Sequence, residues 1–414
     1  MDVTLGCGAR RGTVRAPASK SCAHRLLLSA ALGERKSAVS CGTLSRDVSA
    51  TADCLRALGA GIEADASGTL HVTPLSGVPA DVCPLQCGES GSTLRFLLPV
   101  VGALGARAVF RREGRLAQRP LEPLLSVLRA HGMTLREDGP LLFCEGGLQP
   151  GEYSIDGGVS SQFVTGLLYA LTLLGDSSLH VTGTAVSAPY VELTMEYIRL
   201  ARAAPETTPD GWAFRTPRRF ALPDRVSCEG DWSNAAPFLC IGALSPEGVT
   251  VTGLRTDSAQ GDRAVVEALR SAGAVVEVRT DAVTVRRGAL RGFRFDAEQT
   301  PDLVPALAAL SACIDGPSEF VHAARLREKE SDRLSSTASL LRALGAEVAE
   351  RPDGQAIRGG RLVGGTADAA GDHRIAMAAA VAACGCTGDV TLRGAECVEK
   401  SYPEFWKELS CLSM

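Results

Sequence analysis

The sequence is poor in lysine. Only five of its 43 basic residues are lysine, namely Lys20, Lys36, Lys329, Lys400 and Lys407. An arginine-rich genomic composition accounts for the bias, yet it makes each lysine worth placing. Long apolar runs are also missing. The longest, residues 163–174, is interrupted by Thr and Gly and falls short of the roughly 20 residues that cross a bilayer, so no membrane span is expected. The chain opens without a basic-then-apolar signal region, and a cytoplasmic location is expected. No CxxC pair occurs among the 14 cysteines, whose nearest spacings are Cys83 to Cys87 and Cys384 to Cys386. That scatter reads as reduced core thiols, neither a disulfide framework nor a zinc site. A P-loop, a GxGxxG after a strand and any metal-ligand spacing are absent as well, so no nucleotide, metal or other cofactor is expected. A net charge of −4 argues against a surface that coats nucleic acid.

What remains is an ordinary α/β composition, 45% hydrophobic and 22% charged, in 414 residues, which is enough chain for two domains. The organisation lies in a repeat. A small polar cluster, about ten apolar residues, a Gly/Pro/Asp turn and a short strand recur six times, anchored at Lys20, Ser92, Ser161, Trp232, Asp302 and His373. The steps between anchors are 72, 69, 71, 70 and 71 residues. A second helix type interleaves: LRALG at Leu55, LRAHG at Leu128, IRLAR at Ile198, LRSAG at Leu269 and LRALG at Leu341, in steps of 73, 70, 71 and 72. The glycine of the LRxxG motif is a helix C-cap signal, and runs such as AVVEVRTDAVTVRRG read as hairpins. Each unit is thus helix, strand, helix, hairpin.

Such units cannot bury their apolar helices alone. Three stacked units per domain, helices inside and sheets outside, satisfy six repeats and two domains together. The resulting expectation is an α/β fold of two similar domains, each of three βαβαββ-type units. Because the first repeat starts at Lys20, the leading segment VTLG…GTVRAP has to complete a sheet in the C-terminal half. The first domain is then residues 1–18 plus 228–414, and the second is residues 19–227.

The first-type helices are apolar almost all round yet headed by Ser, Thr, Asp, Lys, Gln or His. Ser and Asp at such positions are common N-caps. Cations are not: Lys20 and Arg374 at helix starts oppose the helix dipole, so a bound anion explains them better than stability does. Arg25 and Arg95 add charge nearby. Further basic groups lie in QRP at residues 118–120, in RLREKESDR at residues 325–333 and around Lys400 in EKSYPEF. As a single helix, RLREKESDR would set Arg327, Glu330 and Arg333 on one side and Lys329 and Asp332 on another.

The stretches SKSCAHR, ESGSTLRF, QRPLEPL, VSSQFVTGLL, SAPYVELT, EGDWSNAA, TPDLVPAL, REKESDRL, GDHRIAMA and EKSYPEFW, taken in order, resemble the 5-enolpyruvylshikimate-3-phosphate synthase family of enolpyruvyl transferases over essentially the whole length. The resemblance implies an inside-out α/β barrel in each domain and an active site in the interdomain cleft. It also implies a reaction, in which the 5-hydroxyl of shikimate-3-phosphate adds to C2 of phosphoenolpyruvate, C3 takes a proton, and phosphate is then expelled. By resemblance, Lys20, Gly91, Arg119, Gln162, Arg333, His373, Arg374 and Lys400 hold phosphoenolpyruvate. Lys20, Ser21, Arg25, Ser160, Ser161, Gln162, Ser187, Asp302 and Lys329 hold shikimate-3-phosphate. Asp302 is the implied base at the 5-hydroxyl, and Glu330 and Lys20 are the implied proton carriers. Both substrates are phosphorylated carboxylates, which suits arginine forks.

Glu89, Ala18, Phe96, Ala188 and Arg325 depart from the best-known form of the family motifs, but none removes a charged group that the chemistry needs. The sister activity on UDP-N-acetylglucosamine is the nearest alternative. That enzyme usually carries a reactive Cys before the RP dipeptide, whereas residues 110–120 here contain none. A non-catalytic repeat protein that binds anions is the alternative from another class. The design does not require an oligomer, and a monomer is expected.

Overall fold

The structure, a computed structural model, describes residues 1–414. The helices are α1 Lys20–Ala31, α2 Arg46–Ala57, α3 Gly91–Ala103, α4 Leu124–Ala130, α5 Ser161–Leu174, α6 Ala188–Leu200, α7 Trp232–Leu244, α8 Val265–Ser271, α9 Val304–Ala312, α10 Arg333–Ala343, α11 His373–Gly385 and α12 Phe405–Cys411. By its internal contacts the chain forms two compact units, Lys20–Cys228 and Met1–Ser19 with Glu229–Met414.

In the unit Lys20–Cys228 there are three four-stranded sheets of one pattern. In the middle one, Cys83–Gly88 runs parallel to Ala108–Arg112, which is followed by the antiparallel hairpin of Thr134–Asp138 and Leu141–Glu145. Helices α3 and α4 connect these strands, so the unit reads βαβαββ. The first repeat has no leading strand of its own. Arg225–Ser227, at the end of this unit, pairs parallel with Ser37–Ser40 and fills the place.

The other unit repairs two gaps with one segment. Gly12–Arg15 pairs parallel with Val249–Thr252 and leads the fourth repeat. Asp2–Leu5 pairs antiparallel with Val390–Arg393 and replaces the hairpin that the sixth repeat lacks, leaving a three-stranded sheet. The single leading strand anticipated from the sequence is therefore two strands, each completing a different sheet. The sixth second-type helix, α12, was not legible because FWKELSC lacks the LRxxG signature.

Each sheet shows water one face, as Cys83–Gly88 does with alternate buried and exposed residues. The other face lies on helices that are buried all round: every residue of α7 and of α9 is buried, and α7, α9 and α11 pack on one another. α3 and α5 lie close because Gly166 faces Pro99. A Cβ on Gly166 would come 2.3 Å from the Arg95 carbonyl, the very acceptor that a helical N–H at residue 99 would have used.

The LRxxG glycines end their helices as Schellman turns. Gly59 sits at φ 106°, its N–H donates to Arg56 O (2.9 Å), and Ala60 N–H donates to Leu55 O (3.0 Å). The same pair of bonds recurs at Gly132, Gly273 and Gly345. After α6 the position is filled by Arg202 at φ 57°, a conformation costly for a side-chain-bearing residue but compatible with the same two bonds. The 14 cysteines are all free, nine of them buried. No helix is long and apolar enough to cross a membrane.

Candidate active site

In the unit Lys20–Cys228 the sequence-flagged residues gather at the starts of α1, α3, α5 and α6. Lys20 opens α1, and its Nζ lies 2.9 Å from Asp47 Oδ2 in the first turn of α2. Ser21 follows it, half-buried. Arg25, one turn on, is buried. Its Nη1 donates to Ser21 O (2.7 Å), its Nε to Thr194 Oγ1 (2.9 Å) and its Nη2 to Tyr190 O (2.8 Å), with the Phe96 ring 5.2 Å away. These contacts tie α1 to α6, and the face of the Phe96 ring steadies the buried guanidinium that makes them.

At α3, a Cβ on Gly91 would lie 3.0 Å from Arg119 Nη1 and 3.3 Å from its Cζ. The Arg119 guanidinium rests over this helix start, where a side chain at residue 91 would make it shift by a few tenths of an ångström. Gln162 links α5 to α3. Its Nε2 donates to Ser92 Oγ (2.9 Å), and its Oε1 accepts from Arg95 Nη1 (2.7 Å). Arg95 Nη2 also donates to Pro120 O (3.0 Å), so one buried cation orients both the Gln162 amide and the backbone next to Arg119. Ser160 caps α5 by accepting from Gln162 N–H (3.3 Å), and Ser161 is buried behind it. Ser187, just before α6, sits at φ 52° and makes no capping bond with its side chain. That backbone is strained for serine, a kind of outlier that clusters at functional sites.

Behind Lys20 runs a buried chain of hydroxyls: His24 Nδ1 to Thr51 Oγ1 (2.7 Å), Thr51 to Thr93 Oγ1 (2.6 Å), and Thr93 to Ser90 Oγ (2.7 Å). Burial pushes the His24 imidazole down to about 3; Lys20 and Arg25 add to this, and Asp47 opposes it. The folded chain thus holds His24 neutral, while the unfolded chain protonates it near the ordinary value of about 6.5. The unfolded state binds the extra proton between those values, so His24 stabilises the fold above pH 6.5 and its contribution is lost as pH falls toward 3. We expect wild type to lose about 2 kcal/mol more between pH 7 and pH 5 than His24→Gln does, by urea unfolding. Equal losses in the two proteins would exclude this role.

The second group, in the unit Met1–Ser19 with Glu229–Met414, is organised around Arg333. It is buried, and it donates from Nη1 to Asp302 Oδ1 (2.8 Å), from Nη2 to Glu330 Oε2 (2.7 Å) and from Nε to Asp372 Oδ2 (2.8 Å). Lys329 Nζ lies 3.3 Å from the same Asp302 oxygen, and Lys400 Nζ lies 3.9 Å from Glu330 Oε1. Arg374, buried in the first turn of α11, donates from Nη1 to Ser233 O (2.7 Å), and His373 is buried beside Asp372. Burial by itself would raise the Asp302 carboxyl, but Lys329, Arg333 and Arg374 hold it well below the usual carboxylate range. Arg325 donates to Glu298 O (3.2 Å) at the edge of this group.

RLREKESDR is not one helix. Residues Ala324–Glu328 form a 3₁₀ turn, Lys329 is extended, and α10 starts at Arg333 with Asp332 as its cap, accepting from Ser335 N–H (3.1 Å). Across the break, Arg327 Nη1 pairs with Asp332 and Glu350 (2.8 and 2.9 Å), and Lys329 and Arg333 both reach Asp302 Oδ1.

Several polar helix starts are plain caps: Ser90, Asp231 and Asp372 accept from backbone N–H groups of their own helices. Asp372 does more, and its role was missed, since a cap and a counter-ion look alike in sequence. Asp47 was not named from the sequence, and Arg95 was named only as charge beside the helix starts, without a partner. No group of three or more His, Cys, Asp or Glu is arranged to hold a metal ion.

Comparison with known proteins decides the family. The family model described as EPSP synthase (3-phosphoshikimate 1-carboxyvinyltransferase) matches residues 6–409. The chain belongs to the EPSP synthase family. A Clostridium kluyveri protein named 3-phosphoshikimate 1-carboxyvinyltransferase is 40% identical over 412 residues, covering 97% of this chain and 95% of that one. A protein of the same name from Methanocella arvoryzae is 37% identical over 411 residues, covering 97% and 96%. Members of the EPSP synthase family transfer the enolpyruvyl group of phosphoenolpyruvate to shikimate-3-phosphate, in aromatic amino acid biosynthesis. Among solved structures, EPSP synthase from Acinetobacter baumannii aligns with a TM-score of 0.81 at 24% identity over 100% of both chains. The enolpyruvyl transferase NikO from Streptomyces tendae aligns at 0.79 and 22%, covering 100% of this chain and 97% of that one. The fold is thus common to enolpyruvyl transferases and does not by itself choose the acceptor.

Proposed function

We propose that this chain catalyses the EPSP synthase reaction with the residues of both groups just described. The oxygen of the shikimate-3-phosphate 5-hydroxyl bonds to C2 of phosphoenolpyruvate while C3 gains a proton. Loss of a C3 proton then restores the double bond as the C2–O bond to phosphate breaks. In this reading Lys20, Gly91, Arg119, Gln162, Arg333, His373, Arg374 and Lys400 bind phosphoenolpyruvate. Ser21, Arg25, Ser160, Ser161, Ser187 and Lys329, with Lys20, Gln162 and Asp302, bind shikimate-3-phosphate.

One observation carries the proposal: Asp302 is kept ionised by three cations that anionic substrates would engage. An ionised carboxylate can accept the 5-hydroxyl proton, and neutralising those cations with substrate charge raises its basicity when it is needed. Glu330, between Arg333 and Lys400, and Lys20, beside Asp47, are the proposed carriers of the C3 protons. Arg25 spends most of its N–H groups on protein acceptors, so it offers the shikimate carboxylate a rigid charge with little donor capacity to spare.

The test is phosphate release from phosphoenolpyruvate that depends on shikimate-3-phosphate, with UDP-N-acetylglucosamine as the control acceptor. Preference for the control would overturn the assignment, and binding of both substrates without turnover would favour the non-catalytic alternative. A narrower test addresses Arg119. Arg119→Lys keeps the charge but loses the planar fork, and it should raise KM for phosphoenolpyruvate about tenfold with a smaller change in kcat. An unchanged KM would detach Arg119 from that substrate. We further propose a monomer located in the cytoplasm; a light-scattering mass of twice the 43.2 kDa chain would refute the former.

A further inference from the structure

Cys41 and Cys228 lie far apart in sequence, yet their sulfurs are 3.3 Å apart. The contact follows from strand pairing. Ser37–Ser40 and Arg225–Ser227 run parallel with Ser40 opposite Ser227, and the two cysteines are the next residues of each strand. Cys228 N–H continues the ladder by donating to Ser40 O (2.9 Å). Neighbouring strands lie about 4.8 Å apart, within the Cα separation that a disulfide bridges, and the thiols already face each other. Cys228 is partly exposed and Cys41 is buried, so a small oxidant reaches one thiol while the other waits beside it. The place is also distinctive: Cys228 is the last residue of its unit, and the next residue, Glu229, accepts at its carbonyl from Ser19 N–H (2.8 Å), immediately before Lys20.

We propose that Cys41 and Cys228 form a dithiol modification site that hydroperoxides oxidise to a reversible disulfide. The Cys228 thiolate attacks the peroxide, taking one oxygen as sulfenic acid and releasing water or an alcohol. The Cys41 sulfur then displaces water from that sulfenic acid, forming the S–S bond. Overall, two thiols and one peroxide give one disulfide and two molecules of water, or one of water and one of alcohol. None of the proposed substrate-binding residues takes part.

The test treats the reduced full-length chain with one equivalent of hydrogen peroxide and maps it without reduction, using trypsin and a glutamyl endopeptidase. Trypsin yields the Cys41 peptide 37–46, and cleavage after Glu229 separates Cys228 from Cys240. The expected product is a single link between Cys41 and Cys228 that forms at least about tenfold faster than any other thiol is lost and is reversed by dithiothreitol. Cys228→Ser and Cys41→Ser should each abolish the link. Prior loss of other thiols, or Cys228 advancing to sulfinic acid without a linked peptide, would overturn the proposal.

Discussion

Replacing Lys20 with alanine is expected to lower kcat by roughly a thousandfold or more while leaving a folded protein. Lys20 begins α1, and its ammonium is held 2.9 Å from Asp47. A lysine at a helix N-terminus is unfavourable for the helix, so removing it should not unfold α1. What its loss leaves behind is the Asp47 carboxylate, itself 6% exposed, without that ion pair. The double variant Lys20→Ala/Asp47→Asn separates the two effects. It should recover any stability lost in Lys20→Ala, by unfolding midpoint, and should not recover turnover. Near-normal kcat in Lys20→Ala would remove the residue from the chemistry.

Arg333 should behave in the opposite way, failing first as a structural element. Its guanidinium, 2% exposed, is the shared partner of Asp302, Glu330 and Asp372, whose side chains are 30%, 11% and 0% exposed. Arg333→Met keeps much of the side-chain bulk and removes the charge, which leaves the fully buried Asp372 without that partner, while Asp302 and Glu330 keep Lys329 and Lys400 nearby. Breaking one side of a buried pair costs about 3–5 kcal/mol, and we expect a loss of at least about 3 kcal/mol in urea unfolding at pH 7. The deficit should shrink as pH falls, because protonated carboxyls no longer repel one another. A stability loss under about 1 kcal/mol, or one that grows toward low pH, would show that the cluster is held by something other than Arg333.

Much of the site could be named in advance because it sits at repeat-marked positions. Lys20, Ser161, Asp302 and His373 are themselves repeat anchors, and Gly91 and Gln162 adjoin the anchors Ser92 and Ser161. A helix start is a local event, written in the residues that cap it and in the apolar run that follows. The partners were harder to see. Asp47 meets Lys20 across 27 positions, Asp372 meets Arg333 across 39, and Arg95 meets Gln162 across 67. None of these pairings leaves a periodic trace. RLREKESDR shows the same limit: its helical spacing does not reveal that Lys329 turns extended or that Arg327 pairs with Asp332 and Glu350.

By itself, then, the sequence determined the repeat of about 71 residues, the polar starts of the first-type helices, the Schellman ends of the four LRxxG helices, and membership in a family whose motifs run the length of the chain. Those features depend on contacts a few residues apart, which composition and spacing record directly. Only the tertiary structure decided that Asp2–Leu5 and Gly12–Arg15 complete different sheets, and that Arg333 gathers three carboxylates. Strand partners and ion-pair partners are chosen by whatever folding brings within bonding distance, and several competitors of the same residue type exist for each.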